Sequence, residues 1–168
     1  MTAAEDRVCY QCHDGIQAVV REGKAHGPVG DGKCTACHEP HTAPEKNLLA
    51  ADQQTVCAGC HGDLVLASVK AKYHHPETGI GACTTCHDPH ADALGPVGQE
   101  GDICGRCHGF GDHTMHPVGP EVKDPVTGKP VTCVSCHNPH GSEWEGILSG
   151  DPGGPLCVKC HIDKIRSR

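Results

Sequence analysis

Apolar residues along this chain come in ones and twos and seldom hold a period. The longest apolar run, Leu64-Val65-Leu66-Ala67, is far too short to span a bilayer. With Val69 and Tyr73 it makes a partly helical stripe, which predicts a short helix over residues 62–72. Two more short helices are expected over 15–22 and 47–54. No alternating segment finds a convincing strand partner. The 22 glycines and 13 prolines break up what remains and predict turns and loops more than regular structure. Only four aromatic residues are present, Tyr10, Tyr73, Phe110 and Trp144. Such a chain has too little apolar side-chain surface to pack a core of its own.

Cysteine changes that picture. All 14 cysteines fall in seven copies of Cys-x-x-Cys-His. The pairs are Cys9 and Cys12, Cys34 and Cys37, Cys57 and Cys60, Cys83 and Cys86, Cys104 and Cys107, Cys133 and Cys136, and Cys157 and Cys160. The histidines that follow are His13, His38, His61, His87, His108, His137 and His161. Each copy reads as an attachment site for c-type haem. Two thiols bond to the porphyrin edge, and the next histidine takes the iron from the proximal side. Structural zinc needs four ligands, so zinc knuckles should come in even number and have no need of that histidine. A disulfide framework would not hold every cysteine pair at one spacing. Seven covalently attached haem c groups are therefore expected, and they would supply the missing core. The fold class expected is mostly irregular with short α-helices, an elongated stack of dihaem repeats of about 50 residues around the haems. Folding should be coupled to haem attachment.

The seven motifs alternate between two kinds. Three are decorated with a following x-Pro-His: Glu39-Pro40-His41, Asp88-Pro89-His90 and Asn138-Pro139-His140. The same three follow a histidine set among Gly and Pro, namely His26, His75 and His116. The four plain motifs lack both features. Plain motifs recur after 48, 47 and 53 residues, decorated ones after 49 and 50. This internal repeat divides the chain into dihaem repeats at 1–50, 51–98 and 99–150, with a single-haem half-repeat at 151–168. The third repeat carries an extra turn-rich segment at 121–130. Asn47-Leu48-Leu49 before Cys57 also resembles Gly146-Ile147-Leu148 before Cys157.

Eight of the 15 histidines lie outside the motifs, and seven haems with two histidines each would need seven of them. The repeat singles out His26, His41, His75, His90, His116 and His140 as distal metal ligands. His41, His90 and His140 stand in a frame stiffened by proline, too close to their own proximal histidine to reach the same iron, so a neighbouring haem is expected to take each. The seventh ligand is read as His113, with His74 and Met115 as alternatives. Bis-histidine iron has no open position. It suits electron transfer and disfavours substrate binding.

The alternation of His-x-Pro-x-x-Gly…Cys-x-x-Cys-His-x-Pro-His with a plain Cys-x-x-Cys-His resembles the doubled-CxxCH family of multihaem cytochromes c, over nearly the whole chain from Cys9 to His161. The resemblance implies a periplasmic carrier, or a relative of the outer-membrane conduit cytochromes of metal-reducing bacteria. It also implies haems in near-contact stacked and T-shaped pairs, with His26, His41, His75, His90, His116 and His140 on the family's histidine positions. An odd motif count departs from strict pairing.

Formal charge is −7. Seven haems with their propionates would take it to roughly −14 when ferric and about −21 when ferrous, a poor match to nucleic acid. Expected partners are redox proteins: other cytochromes or a quinol-linked donor. A homo-oligomer, a filament and a porin-associated assembly all fit. Residues 1–10 are polar and carry no secretory signal. Since c-type haem is attached beyond the cytoplasmic membrane, a leader is expected to have been removed and the protein to work in the periplasm or at the cell surface. No catalytic residues are picked out. The alternative is a multihaem reductase of a small oxyanion with one open-faced haem.

Overall fold

The computed structural model describes residues 5–75, 82–91, 103–109, 116 and 118–162. Its regular structure is sparse. Helices α1 (Glu5–Cys9), α2 (Asp14–Arg21) and α3 (Gly27–Gly30) precede α4 (Gln53–Lys70). Strands β1 (Gly119–Lys123) and β2 (Pro130–Val131) then lead into α5 (Cys133–Cys136). Tight 3₁₀ turns at Cys34–Ala36, Lys46–Leu48, Cys83–Thr85, Glu145–Ile147 and Cys157–Lys159 supply much of the rest. No described helix is long and apolar enough to cross a membrane.

Helix α2 covers the first expected helix almost residue for residue. The third, expected at 62–72, is the second half of α4, which starts nine residues earlier. Asp52 opens it: its Oδ1 accepts the Thr55 N–H at 3.0 Å and its Oδ2 the Thr55 hydroxyl at 2.6 Å, satisfying a donor left free in the first turn. The helix then runs straight through the third Cys-x-x-Cys-His and kinks at His61. The helix expected over 47–54 does not form. Asn47 and Leu48 both take positive φ, 58° and 57°, which a right-handed helix cannot include.

The hairpin is a second departure, since no strand pair was expected. β1 and β2 run antiparallel, with Gly119 opposite Val131. The turn between them is closed by Asp124, whose Oδ1 accepts the N–H groups of Val126 at 2.7 Å and Thr127 at 3.1 Å. Gly128 supplies the left-handed residue, φ 69°. Five residues against two give too short an alternation for the sequence pattern to register; the Asp-Pro-x-x-Gly turn chemistry carries the signal instead.

The chain divides into two compact units, one drawn from residues 1–65 and 81–94, the other from 66–80 and 95–168. In the first, Glu5 accepts the Thr35 N–H and ties α1 to the second motif. Gln53 Oε1 accepts both the N–H and the hydroxyl of Thr84 at 3.2 and 3.1 Å, joining the start of α4 to the fourth motif. In the second unit Tyr73 and Ser142 exchange backbone hydrogen bonds of 2.8 and 2.9 Å. Gly141 there holds φ 109°, and a Cβ on it would stand 2.8 Å from the Ala71 Cβ. Only glycine fits.

Among the described residues no hydrophobic side chain is buried. Val8, Leu64, Leu66, Val69 and Ile162 all lie exposed, and among the described residues only Thr132, at 8 % exposure, and Gly141 are buried. A polypeptide with such a surface has not hidden its apolar groups against itself. Large apolar bodies lying along it would complete the core.

Candidate haem-binding sites

The motifs share one local geometry. The N–H of the motif histidine donates to the carbonyl of the first cysteine four residues back, at 2.9–3.1 Å, in the six motifs outside α4. The third motif reaches the same arrangement inside α4. One helical turn sets residues i, i+3 and i+4 on a common side, which is the arrangement needed by two thioether bonds and an iron ligand on one porphyrin. No three His, Cys, Asp or Glu side chains gather as a bare-metal site among the described residues.

Cysteines of successive motifs are also near one another. Burial first, then hydrogen bonding to the neighbouring Cys9 thiol, pushes the Cys34 thiol up to about 11. Burial, then the adjacent Cys83 thiol, raises Cys57 to about 11. Cys37 is raised by burial and by Cys60. Cys160 is raised by burial, then by Asp124 and Cys136. These thiols stand where thioether sulfurs would be. Attachment points of motifs one and two, two and three, three and four, and six and seven are thus side by side.

Among the described residues, four pairs of histidine rings each join a motif histidine to one outside the motifs. His26 stacks on His61 with centroids 6.1 Å apart, and His90 on His38 at 5.9 Å. His75 meets His108 edge-on at 5.7 Å, and His116 meets His161 at 6.2 Å. The Nε2 atoms of His75 and His108 face each other across 3.4 Å. Two imidazoles on opposite sides of one metal atom, at a metal–nitrogen distance of roughly 2 Å, hold their centroids about 6 Å apart. The residues fit the haem they imply.

A rule connects these pairs. His26, His75 and His116 each precede a decorated motif and face the proximal histidine of the plain motif that follows it. His90, from an x-Pro-His frame, faces the proximal histidine of the preceding decorated motif. The remaining predicted ligands are placed differently. His41 has a side chain 92 % exposed and its Nδ1 is 3.3 Å from Glu39 Oε1. No second histidine ring lies against His13 among the described residues; it is near enough to His90 to act on it electrostatically. His74 is packed beside Gly141, its Nδ1 buried without a hydrogen-bond partner, as is that of His75. His113 and Met115 lie outside the described residues. His140 donates its backbone N–H to Asn138 Oδ1 at 3.1 Å.

Second contacts orient the motif histidines of two decorated motifs. His38 Nδ1 lies 2.9 Å from the carbonyl oxygen of Asn47, and His137 Nδ1 lies 2.8 Å from that of Gly146. A proton on Nδ1 would be donated to that carbonyl, leaving Nε2 for iron. The residue between motif histidine and proline was not singled out from sequence. Its side chain accepts the N–H of the histidine two residues on: Glu39 at 3.3 Å, Asp88 at 2.9 Å, Asn138 at 3.1 Å. The signal was present, an oxygen-bearing side chain in all three copies.

Comparison with known proteins agrees with the repeated motifs. The family model described as Doubled CXXCH motif matches residues 26–66 and 124–166, together half of the chain. Each matched segment holds a decorated motif followed by a plain one, with the histidine that precedes them or the approach to it. The chain is also 30 % identical over 177 residues to the multiheme cytochrome MtrA of Shewanella baltica (strain OS185), a match covering 93 % of this chain and 52 % of that protein. The chain spans about half the length of the curated relative it matches.

Proposed function

The chain belongs to the doubled CXXCH family of multihaem cytochromes c, and from that premise we propose that it passes electrons along seven covalently held haems, mostly bis-histidine ligated. Electron transfer through c-type haem is the work of the family. What is proposed for this chain is the number seven, the ligand set and the setting. The observation that carries the reading is the set of four proximal–distal histidine pairs at 5.7–6.2 Å. Each would close both faces of an iron, keep it low-spin and leave electron exchange as its chemistry. Neighbouring attachment cysteines support rapid exchange, since haems bonded to adjacent thiols lie edge to edge.

The proximal ligands in this reading are His13, His38, His61, His87, His108, His137 and His161. The distal set comprises His26, His75, His90 and His116, with His41, His140 and His113 completing it. The dihaem divisions at 50, 98 and 150 are retained as the counting unit. We place the protein in the periplasm or at the cell surface, where c-type haem is attached. Its partners would be other cytochromes or a quinol-linked donor, in a free carrier, a filament or a porin-associated conduit. A reductase with one open-faced haem is the second reading, favoured by His13, which has no histidine ring against it among the described residues. The test is an intact mass on the exported protein with a reductive titration. Seven haem additions and seven electrons per chain are expected; fewer additions than motifs would contradict the count.

A further inference from the structure

The three decorated frames share their x-Pro-His spacing and one hydrogen bond, and differ in the residue between the motif histidine and the proline. Glu39, Asp88 and Asn138 occupy it. In each frame that side chain accepts the backbone N–H of the following histidine. Positioning is therefore common to all three, while charge is not. Two frames carry an acidic side chain and one a carboxamide.

The carboxylate reaches the histidine ring as well. Asp88 Oδ1 stands 3.9 Å from His90 Nδ1, too long for a hydrogen bond but close for a charge. Glu39 Oε1 stands 3.3 Å from His41 Nδ1. His90 faces His38 across 5.9 Å, so its Nδ1 side is turned toward Asp88 while the ring itself is against the proximal partner. A negative charge beside Nδ1–H pulls that proton outward. The imidazole then gives more electron density to the metal and favours the ferric, more positive state. The same charge acts directly through space with the same sign. Asp88 is 66 % exposed and His90 37 %, so water and salt reduce the effect without removing it.

We propose that this residue tunes the potential of the haem its histidine serves, so that the haem faced by His90 is held lower than an Asn-bearing frame would hold it. Asp88 and Glu39 are on this account tuning residues, acting on iron through a histidine. The neutral Asn138 leaves the haem served by His140 higher. The chain would then grade its potentials by single substitutions inside an unchanging frame, giving electrons a preferred direction. The inference rests on the ligand reading above, and its test separates the two.

Asp88→Asn is the decisive variant. Asparagine already accepts the same backbone N–H at Asn138, so the frame survives and only the charge is lost. Asn138→Asp is its reverse. Potentials are followed for single haems by redox titration of their hyperfine-shifted methyl resonances. D88N should raise the reduced-to-oxidised ratio of one haem, at fixed ambient potential, by about three- to tenfold; tenfold is 59 mV for one electron. N138D should lower that of a different haem by a similar factor. Unchanged potentials in both variants overturn the inference, as does a shift of opposite sign. So does loss of the low-spin spectrum in D88N, which would make the residue's role purely geometric. In parallel, His90→Ala is exposed to carbon monoxide after reduction. If no haem opens, the ligand reading itself fails. If one opens while D88N shifts nothing, only the tuning fails.

Discussion

Residues 37–50 and 136–149 build the same clamp from different sequences. In both, the motif histidine holds its Nδ1 against a carbonyl nine residues on. The next residue donates its N–H to the carbonyl after that, Glu39 to Leu48 at 2.8 Å and Asn138 to Ile147 at 2.7 Å. The second motif cysteine then accepts from Ala50 at 2.9 Å in one clamp, and from Ser149 at 2.8 Å in the other. Both turns pass through two left-handed residues, Asn47 and Leu48 or Gly146 and Ile147. Beyond the opening Cys-His, the Pro-His and a closing leucine the two stretches share no residue. What is kept is a backbone path that aims Nε2. What varies is charge, Glu39 against Asn138, and the cost of the turn, Asn47 against Gly146.

The largest effect should come from breaking the clamp at its centre. On the proposed ligand set His38→Ala and His137→Ala would each remove an iron ligand, and the reduced spectrum of either should show about one of the proposed seven haems turned high-spin and reactive to carbon monoxide. The two variants should behave alike; a response from His38→Ala alone would mean the clamps are not equivalent. Next in size are the distal frames. His90→Ala should open one haem to carbon monoxide. His41→Ala should give a smaller response, because the His41 ring lies against Glu39 and faces no motif histidine among the described residues.

Turn chemistry gives the third test. Asn47→Val puts a β-branched residue at φ 58° and should cost about 1–3 kcal/mol in thermal unfolding of the haem-bearing protein. Asn47→Gly copies the other clamp and should be neutral to within about 1 kcal/mol. The smallest concerns the helical turn beneath the second clamp. Ser135 Oγ accepts the Thr132 N–H at 3.0 Å, whereas the equivalent position in the first clamp is Ala36. Ser135→Ala should make the two motifs alike and cost about 0.5–1.5 kcal/mol in the same melt.

The comparison also shows what was legible beforehand. The motifs, their single helical turn and the histidine slots follow from spacing, because a covalent cofactor fixes which residues must share a side. The likeness of Asn47-Leu48-Leu49 to Gly146-Ile147-Leu148 was visible too, but it reads as helix until the backbone shows both stretches turning left-handed. The α4 start at Gln53 depends on one Asp52 cap, and the hairpin on Asp124 and Gly128, local chemistry that hydrophobic period does not sense. Which distal histidine meets which proximal one was beyond spacing. His26 faces His61 and His90 faces His38 because of packing between segments far apart in sequence. Glu39, Asp88 and Asn138 escaped notice because a capping side chain and a charge look like ordinary polar residues until their acceptor distances are known.

The most direct measurement is the visible spectrum of the reduced protein before and after carbon monoxide. On the proposed ligand set the four histidine pairs would close both faces of four irons, so at least four of the proposed seven haems should be unmoved. A response from four or more haems would contradict the paired geometry, and with it the reading of this chain as an electron wire.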